Sequence, residues 1–101
     1  MHISVAGQHV TLSPELQLYV KDKIVETVGR YFEHATSASV HFTKDGPFVL
    51  CDMIVHEGSG GNIVIKTEAS SDEIYASFDL ALAKSEKRLH KYKSKLKELI
   101  S

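Results

Sequence analysis

The sequence predicts an α+β domain in which two helices pack on one face of a four-stranded sheet. Two long segments repeat apolar residues at three- and four-residue steps, which is the period of an amphipathic helix. Four shorter segments alternate in polarity or are continuously apolar, as strands are. Their chain order is β-α-β-β-β-α, and placing both helices on one sheet face buries both apolar stripes. The 101 residues are predicted to form a single domain, 1–101.

The first two elements are a short strand and a capped helix. HISVA, at residues 2–6, alternates and predicts a strand. Ser13 is predicted to cap the helix that follows, and Pro14 suits its first turn. Apolar residues then recur regularly and predict a helix over about 14–33, in which Gly29 is a weak point but not an end.

Three strands are predicted next, from SASVHFT, FVLCDMIVH and NIVIKTEA. The middle one is apolar on both faces, which predicts a central strand or one whose second face is covered by a partner. Leu50 and Ile54 distinguish the two cases. Their exposure would favour a protein interface, and the alternative is burial under neighbouring side chains.

The last segment predicts a long amphipathic helix. Ser70 and Glu73 match the spacing of a capping box, with acid placed at the positive end of the helix dipole. Apolar residues recur from Ile74 to Leu99, so the helix is expected to pack along its whole length.

Charge is distributed very unevenly along the chain. Residues 1–83 carry five basic and eleven acidic side chains, a net charge of −6. Residues 84–101 carry seven basic and two acidic ones, a net charge of +5, so the sum is −1. Such segregation indicates an anionic partner at the positive end.

On a helix, most of these basic residues fall along one stripe, formed by Lys84, Lys87 or Arg88, Lys91 and Lys95. The stripe would extend over roughly 16 Å, which suits several phosphates rather than one small ligand. Lysine contacts phosphate as a point charge, so direct base reading is not indicated. The alternative is a solvated face that favours the helix dipole. That explains Lys95 better than the mid-helix Lys84.

Enzymatic and membrane functions have little support. The six histidines are scattered without a metal-binding spacing, and Cys51 lies in the most apolar strand, as a core residue would. No catalytic residue, metal or cofactor is expected. No apolar run reaches the length of a membrane span and the N-terminus lacks a signal peptide pattern, so a cytoplasmic protein without a membrane partner is expected. A non-catalytic protein–protein interaction module, using the basic helix or strand 48–55, is the alternative function.

Several stretches resemble a known family. DEIYASFD, followed by a helix ending in HKYKSKLK, is similar to the bacterial ribosome hibernation-promoting factors, also called ribosome-associated translation inhibitors. ISVAGQHVTLSPEL resembles the first strand, glycine and helix start of that family. The resemblance covers essentially the whole chain, as a short form or as the N-terminal domain of a long form.

The resemblance implies a fold similar to a double-stranded RNA-binding domain with an extra strand. It implies binding to the 30S ribosomal subunit and its 16S ribosomal RNA in the decoding channel, where messenger and transfer RNA lie, with ribosomal proteins as further partners. The bound factor would inhibit translation in idle or stressed cells. Neither catalysis nor a small-molecule substrate is implied.

The resemblance also assigns residues to ribosomal RNA binding. On the second helix they are Lys84, Lys87, Lys91, Lys93 and Lys95, with Arg88 in the same stripe. Lys23 and Arg30 are the corresponding residues of the first helix. Tyr75 and Asp79 match the family's Y-x-x-x-D positions. Tyr75 is expected to be a core aromatic residue or an RNA or ribosomal-protein contact.

Overall fold

The predicted element order is confirmed by the structure, a computed structural model. It describes the chain except for residues 33–34, 58–62 and 101 and the side chains of residues 35–36 and 95–100. The elements are β1 (His2–Gln8), α1 (Pro14–Gly29), β2 (Ala35–Asp45), β3 (Phe48–Glu57), β4 (Ile63–Ser71) and α2 (Ile74–Ile100).

The strands form one mixed sheet in the order β1-β2-β3-β4. β1 is parallel to β2, and the α1 crossover makes this pairing possible. The other two pairs are antiparallel. β1 and β4 are the edge strands, because they stand at the two ends of this order. Gly46, in the turn between β2 and β3, has a φ of +58°, a conformation that glycine adopts without steric cost.

The core lies between the sheet and the two helices. Alternate residues of each central strand point toward the helices and are buried, as the period of two requires. The largest fully buried side chains are Phe42, Phe78, Leu16, Ile24, Met53 and Leu89. Two helices on one face of a four-stranded sheet are thus confirmed.

A small polar cluster lies inside this apolar layer. The hydroxyl oxygens of Thr67 on β4 and Ser85 on α2 are 2.6 Å apart and share a hydrogen bond. Thr67 also lies 3.3 Å from the backbone oxygen of Ala81, and the Ser85 hydroxyl lies 3.3 Å from the sulfur of Met53. Because buried hydroxyl groups need partners, this cluster stabilises one placement of α2 on the sheet.

Cys51 is a core residue, as its apolar surroundings predict. Its side chain is fully buried on the helix side of β3. Burial raises the pKa of the thiol to about 12, since a thiolate is poorly solvated there.

Two predicted helix boundaries are wrong. α1 ends at Gly29 rather than near residue 33, because the N–H groups of Tyr31 and Phe32 both bond to the carbonyl of Val28 and close the last turn. The second helix begins at Ile74, so the predicted capping box does not form. Ser70 instead lies in β4, and the carbonyl of Glu73 accepts the first helical bond.

The sheet face opposite the helices is not a continuous apolar surface. Leu50 and Ile54 lie on it, and both are half-buried, so neither of the two predicted cases applies in full. Between them lies a row of polar residues, in which Asp52 stands opposite His41 of β2 and Glu68 of β4 in the strand register. Neither described helix is long and apolar enough to cross a membrane.

Two glycine substitutions test this packing. A Cβ atom on Gly7 would lie 2.9 Å from the carbonyl oxygen of Val10 and 3.1 Å from the Leu12 side chain. Gly7→Ala should therefore lower the free energy of unfolding by about 1–3 kcal/mol. Gly29→Ala is the control, because its Cβ would meet nothing within 4 Å, and it should raise stability by about 0.5 kcal/mol. Urea unfolding checks both, and equal effects of the two changes would contradict the close approach at Gly7.

Candidate nucleic-acid interface

α1 and α2 lie side by side, and polar contacts join their outer surfaces. The Tyr19 hydroxyl donates to Asp79 at 2.8 Å, and the Tyr31 hydroxyl donates to Glu86 at 3.1 Å. Arg30 lies 3.5 Å from the same Glu86 carboxylate. Both acids within this part of α2 are therefore engaged by residues of α1 or of the segment that follows it.

Aromatic rings occupy the end of this surface near the start of α2. The Tyr19 ring packs edge-on against Tyr75 and Phe78, with centroid distances of 5.2 and 5.8 Å. The ammonium group of Lys23 lies 5.8 Å from the Tyr19 centroid, within reach of a cation–π attraction. Tyr75 is 39% exposed. It therefore packs against Tyr19 with part of its ring and presents the rest to solvent.

Lys23 of α1 and Arg30, which directly follows α1, both contact carboxylates. Lys23 lies 4.0 Å from Glu26, and Arg30 lies 2.8 Å from the same side chain. Arg30 also approaches Glu86. These are exposed ion pairs of modest energy, but they reduce the net positive charge that α1 contributes to the surface.

Lys87 and Lys91 face a groove between α2 and Tyr31, which follows α1. The groove has a volume of about 430 Å³ and is also lined by Tyr31, Glu86 and His90. Lys87 and Lys91 are exposed, and neither forms a hydrogen bond or ion pair with any residue that the structure describes. Their ammonium groups are thus available to an anionic ligand.

Lys84 and Arg88 point in a different direction, toward β4. The ammonium group of Lys84 donates to the backbone oxygen of Glu68 at 2.8 Å. The guanidinium group of Arg88 donates to the backbone oxygen of Lys66. Both side chains border a hollow of about 500 Å³ between α2 and the last two strands.

The structure thus divides the predicted site. Lys87 and Lys91 line a groove with Glu86, which Arg30 approaches. Lys23 and Tyr75 lie around Tyr19. Lys84 and Arg88 lie at the β4 side. Lys93 is half-buried, and the side chain of Lys95 lies outside the described residues.

Sequence reasoning did not identify Tyr31 as part of this surface, nor the role of Glu86. The only sequence signal was that Glu86 is the one acid inside the basic stretch 84–97. Within the described ranges, no group of three or more His, Cys, Asp or Glu residues could hold a metal ion.

The hydrogen bond between Tyr19 of α1 and Asp79 of α2 makes the stability of the fold dependent on pH. The hydrogen bond to Asp79, together with burial and the charge of that carboxylate, raises the pKa of Tyr19 above its ordinary value of 10.0. A raised folded-state pKa means that this contact stabilises the fold fully below the unfolded pKa. Its contribution is lost as the pH rises through the folded pKa.

Asp79→Asn should therefore lower the pKa of Tyr19 toward 10.0, because the amide carries no charge. The measurement is an NMR titration of the tyrosine ring carbons between about pH 8 and 12. Tyr31, whose partner is Glu86, provides the internal control and should keep its raised pKa. An unchanged Tyr19 titration in the variant would contradict the contact.

Comparison with known proteins shows which family this chain resembles. The family model described as "Sigma 54 modulation protein / S30EA ribosomal protein" matches residues 3–97. A ribosome hibernation promotion factor of Bradyrhizobium diazoefficiens is 34% identical over 98 residues, which are 97% of this chain and 47% of that protein. One from Rhizobium meliloti is 30% identical, over 97% of this chain and 50% of that protein. The chain spans about half the length of these curated relatives.

A solved structure agrees over the whole fold. It is that of a ribosomal subunit interface protein from Coxiella burnetii, with a TM-score of 0.77 and 30% sequence identity. The alignment covers 93% of this chain and 99% of that one. Since the family match reaches from β1 to α2, the chain belongs to the Sigma 54 modulation protein / S30EA ribosomal protein family, and the predicted relationship to ribosome hibernation-promoting factors is confirmed.

Proposed function

We propose that this domain binds the small ribosomal subunit through 16S ribosomal RNA in the decoding channel and thereby inhibits translation. The observation that carries the proposal is the pair of exposed lysines, Lys87 and Lys91, on the outer side of a helix whose inner side is packed in the core. The relatives support the same partner, since they are named ribosome hibernation promotion factors and a ribosomal subunit interface protein.

Ribosomal RNA carries closely spaced phosphates, to which the ammonium groups of these lysines can bind. Four residues on a helix separate Lys87 from Lys91 by about 6 Å along its axis, so the two ammonium groups can contact different phosphates. Neutralising phosphates releases counterions, which makes the affinity strongly dependent on salt. Neither lysine has to break a hydrogen bond to another described residue in order to bind.

The acids of the same surface are compatible with RNA. Asp79 and Glu86 would repel phosphate if they were free, but Tyr19, Tyr31 and Arg30 already engage them. The charge of Arg30 offsets part of the repulsion from Glu86, whereas the tyrosine hydroxyls hold the two carboxylates in place without changing their charge.

At the other end, Tyr75 offers an exposed aromatic ring beside Tyr19 and Lys23. An unstacked RNA base can pack on such a ring, so we assign Tyr75 to the RNA-binding surface together with Lys23 and Arg30. Lys93 and Lys95, the next basic residues of α2 along the chain, are assigned to RNA binding as well.

Inhibition would follow from occupancy alone. A folded domain in the decoding channel excludes messenger and transfer RNA sterically, and no bond is made or broken. The domain therefore needs neither a catalytic residue nor a cofactor for this role, and it would act in the cytoplasm, where ribosomes translate. To displace these RNA molecules, the ratio of its concentration to its Kd has to exceed theirs.

An acidic protein partner is the competing function, because it too would bind exposed lysines. The two partners differ in how strongly salt weakens the complex. For RNA, the slope of log affinity against log salt concentration should be steeper by about 0.7–0.9 for each phosphate that the domain neutralises. Binding of the domain to ribosomal RNA stripped of protein separates the partners directly.

Charge reversal of the two lysines tests the proposal. Lys87→Glu with Lys91→Glu should reduce cosedimentation with ribosomes at physiological salt by at least about tenfold, since attraction becomes repulsion at two phosphates. The same variant should inhibit translation less in a cell-free assay.

A matched control is Lys44→Glu with Lys66→Glu, which makes the same change in net charge at two exposed residues of the sheet. It should retain most of the binding. If the Lys87/Lys91 variant cosediments as well as the unmodified domain does, this surface does not bind the ribosome.

A further inference from the structure

β4 presents an unpaired edge of the sheet. It has nine residues, is the last strand in the sheet order, and among the described strands pairs with β3 alone. In an antiparallel strand, every second residue directs its backbone N–H and C=O groups away from the neighbouring strand. Such an edge can pair with another chain, and native proteins reduce this tendency by covering or charging it.

Two cations from α2 reach this edge. Lys84 donates to the carbonyl of Glu68, and Arg88 donates to the carbonyl of Lys66. The two carbonyls lie on the same side of β4, since alternate residues of a strand direct their carbonyls alike, and the side chains of α2 reach them there. Hydrogen bonds from charged donors are about twice as strong as those between neutral groups.

The spacing of the two contacts matches the geometry of the two elements. Lys84 and Arg88 are four residues apart, which is about 6 Å along a helix. Lys66 and Glu68 are two residues apart, which is about 6.8 Å along a strand. The order is reversed, since the earlier residue of α2 contacts the later residue of β4, as expected for a helix that runs antiparallel to the strand.

Lys87 and Lys91 have the same four-residue spacing but a different environment. They border the groove beside Tyr31 and Glu86. A phosphate could recruit them without breaking a hydrogen bond to any described residue. For Lys84 and Arg88, recruitment would first break an existing charge-assisted hydrogen bond to β4, which is exposed and would be replaced by water.

We propose that Lys84 and Arg88 close the β4 edge, and that among these four residues of α2 only Lys87 and Lys91 bind phosphate. The second half of this inference rests on the proposed function, whereas the first half concerns the free domain. The basic helix α2 then has two roles. Side chains that point toward β4 close the sheet edge, and side chains that point toward the groove bind phosphate.

A pair of double variants separates the two tasks. One is Lys84→Met with Arg88→Met, and the other is Lys87→Met with Lys91→Met. Methionine keeps a long flexible stem and a similar helix propensity but has no N–H donor. Each variant removes two positive charges from the same helix at the same spacing, so each controls for the other.

The first measurement is amide hydrogen exchange in the free domain. In the Lys84/Arg88 variant, the N–H groups of β4 that bond to β3 should exchange at least about threefold faster, because the uncovered edge strand opens more readily. In the Lys87/Lys91 variant their exchange should be unchanged. Equal exchange in the two variants would overturn the edge closure.

The second measurement is the salt dependence of ribosome binding. The log–log slope should become shallower by about 1.4–1.8 in the Lys87/Lys91 variant, as expected when two phosphates are no longer neutralised. It should change by less than half of that in the Lys84/Arg88 variant. Equal reductions would overturn the division of tasks.

Failure of the proposed function gives a different result, namely that the unmodified domain does not bind ribosomes at any salt concentration. That result would also overturn the assignment of phosphate binding to Lys87 and Lys91. The exchange data would still support or overturn the edge closure, because they are measured without ribosomes.

Discussion

The hydroxyl groups of Thr67 and Ser85 meet between β4 and α2, and the position of the whole helix depends on that contact. An apolar stripe alone would tolerate small rotations or shifts of α2, since Phe78 and Leu89 could pack in several similar ways. The two buried hydroxyls, together with the Ala81 carbonyl and the Met53 sulfur, form their hydrogen bonds only in one placement of α2. The outer residues of α2 take their directions from this placement: Glu86 toward Arg30, and Lys84 toward the edge of the sheet.

Much of the fold follows from local patterns, because period and composition are properties of neighbouring residues. The three- and four-residue steps of α2 and the alternation around Val40 and Phe42 were enough for the element order and for the sheet face that carries the helices. The ends of the helices were harder to predict, because they depend on contacts with residues distant in the sequence. Ser70 has a local capping signal, but its pairing with Leu50 across the sheet prevails, and no local pattern reveals that pairing.

The site shows the same division between local and distant information. The stripe of lysines is visible in the sequence, but the partner of each lysine is not. Glu68 is 16 residues from Lys84, and Lys66 is 22 residues from Arg88. Arg30 has the right charge for RNA, yet its contact with Glu86 depends on how α1 and α2 pack together. Composition therefore predicts the type of partner, and tertiary structure decides which cations can meet it.

The separation of −6 on residues 1–83 from +5 on residues 84–101 also has a kinetic consequence. A nearly neutral molecule with separated charges has a large electric dipole, so the field of a polyanion turns it as well as attracts it. Electrostatic orientation of this kind raises the fraction of encounters that lead to binding, and added salt weakens it. The acidic part of the chain, residues 1–83, would be repelled while the basic part of α2 is drawn in, so rotation during the approach would select the orientation before any side chain makes contact.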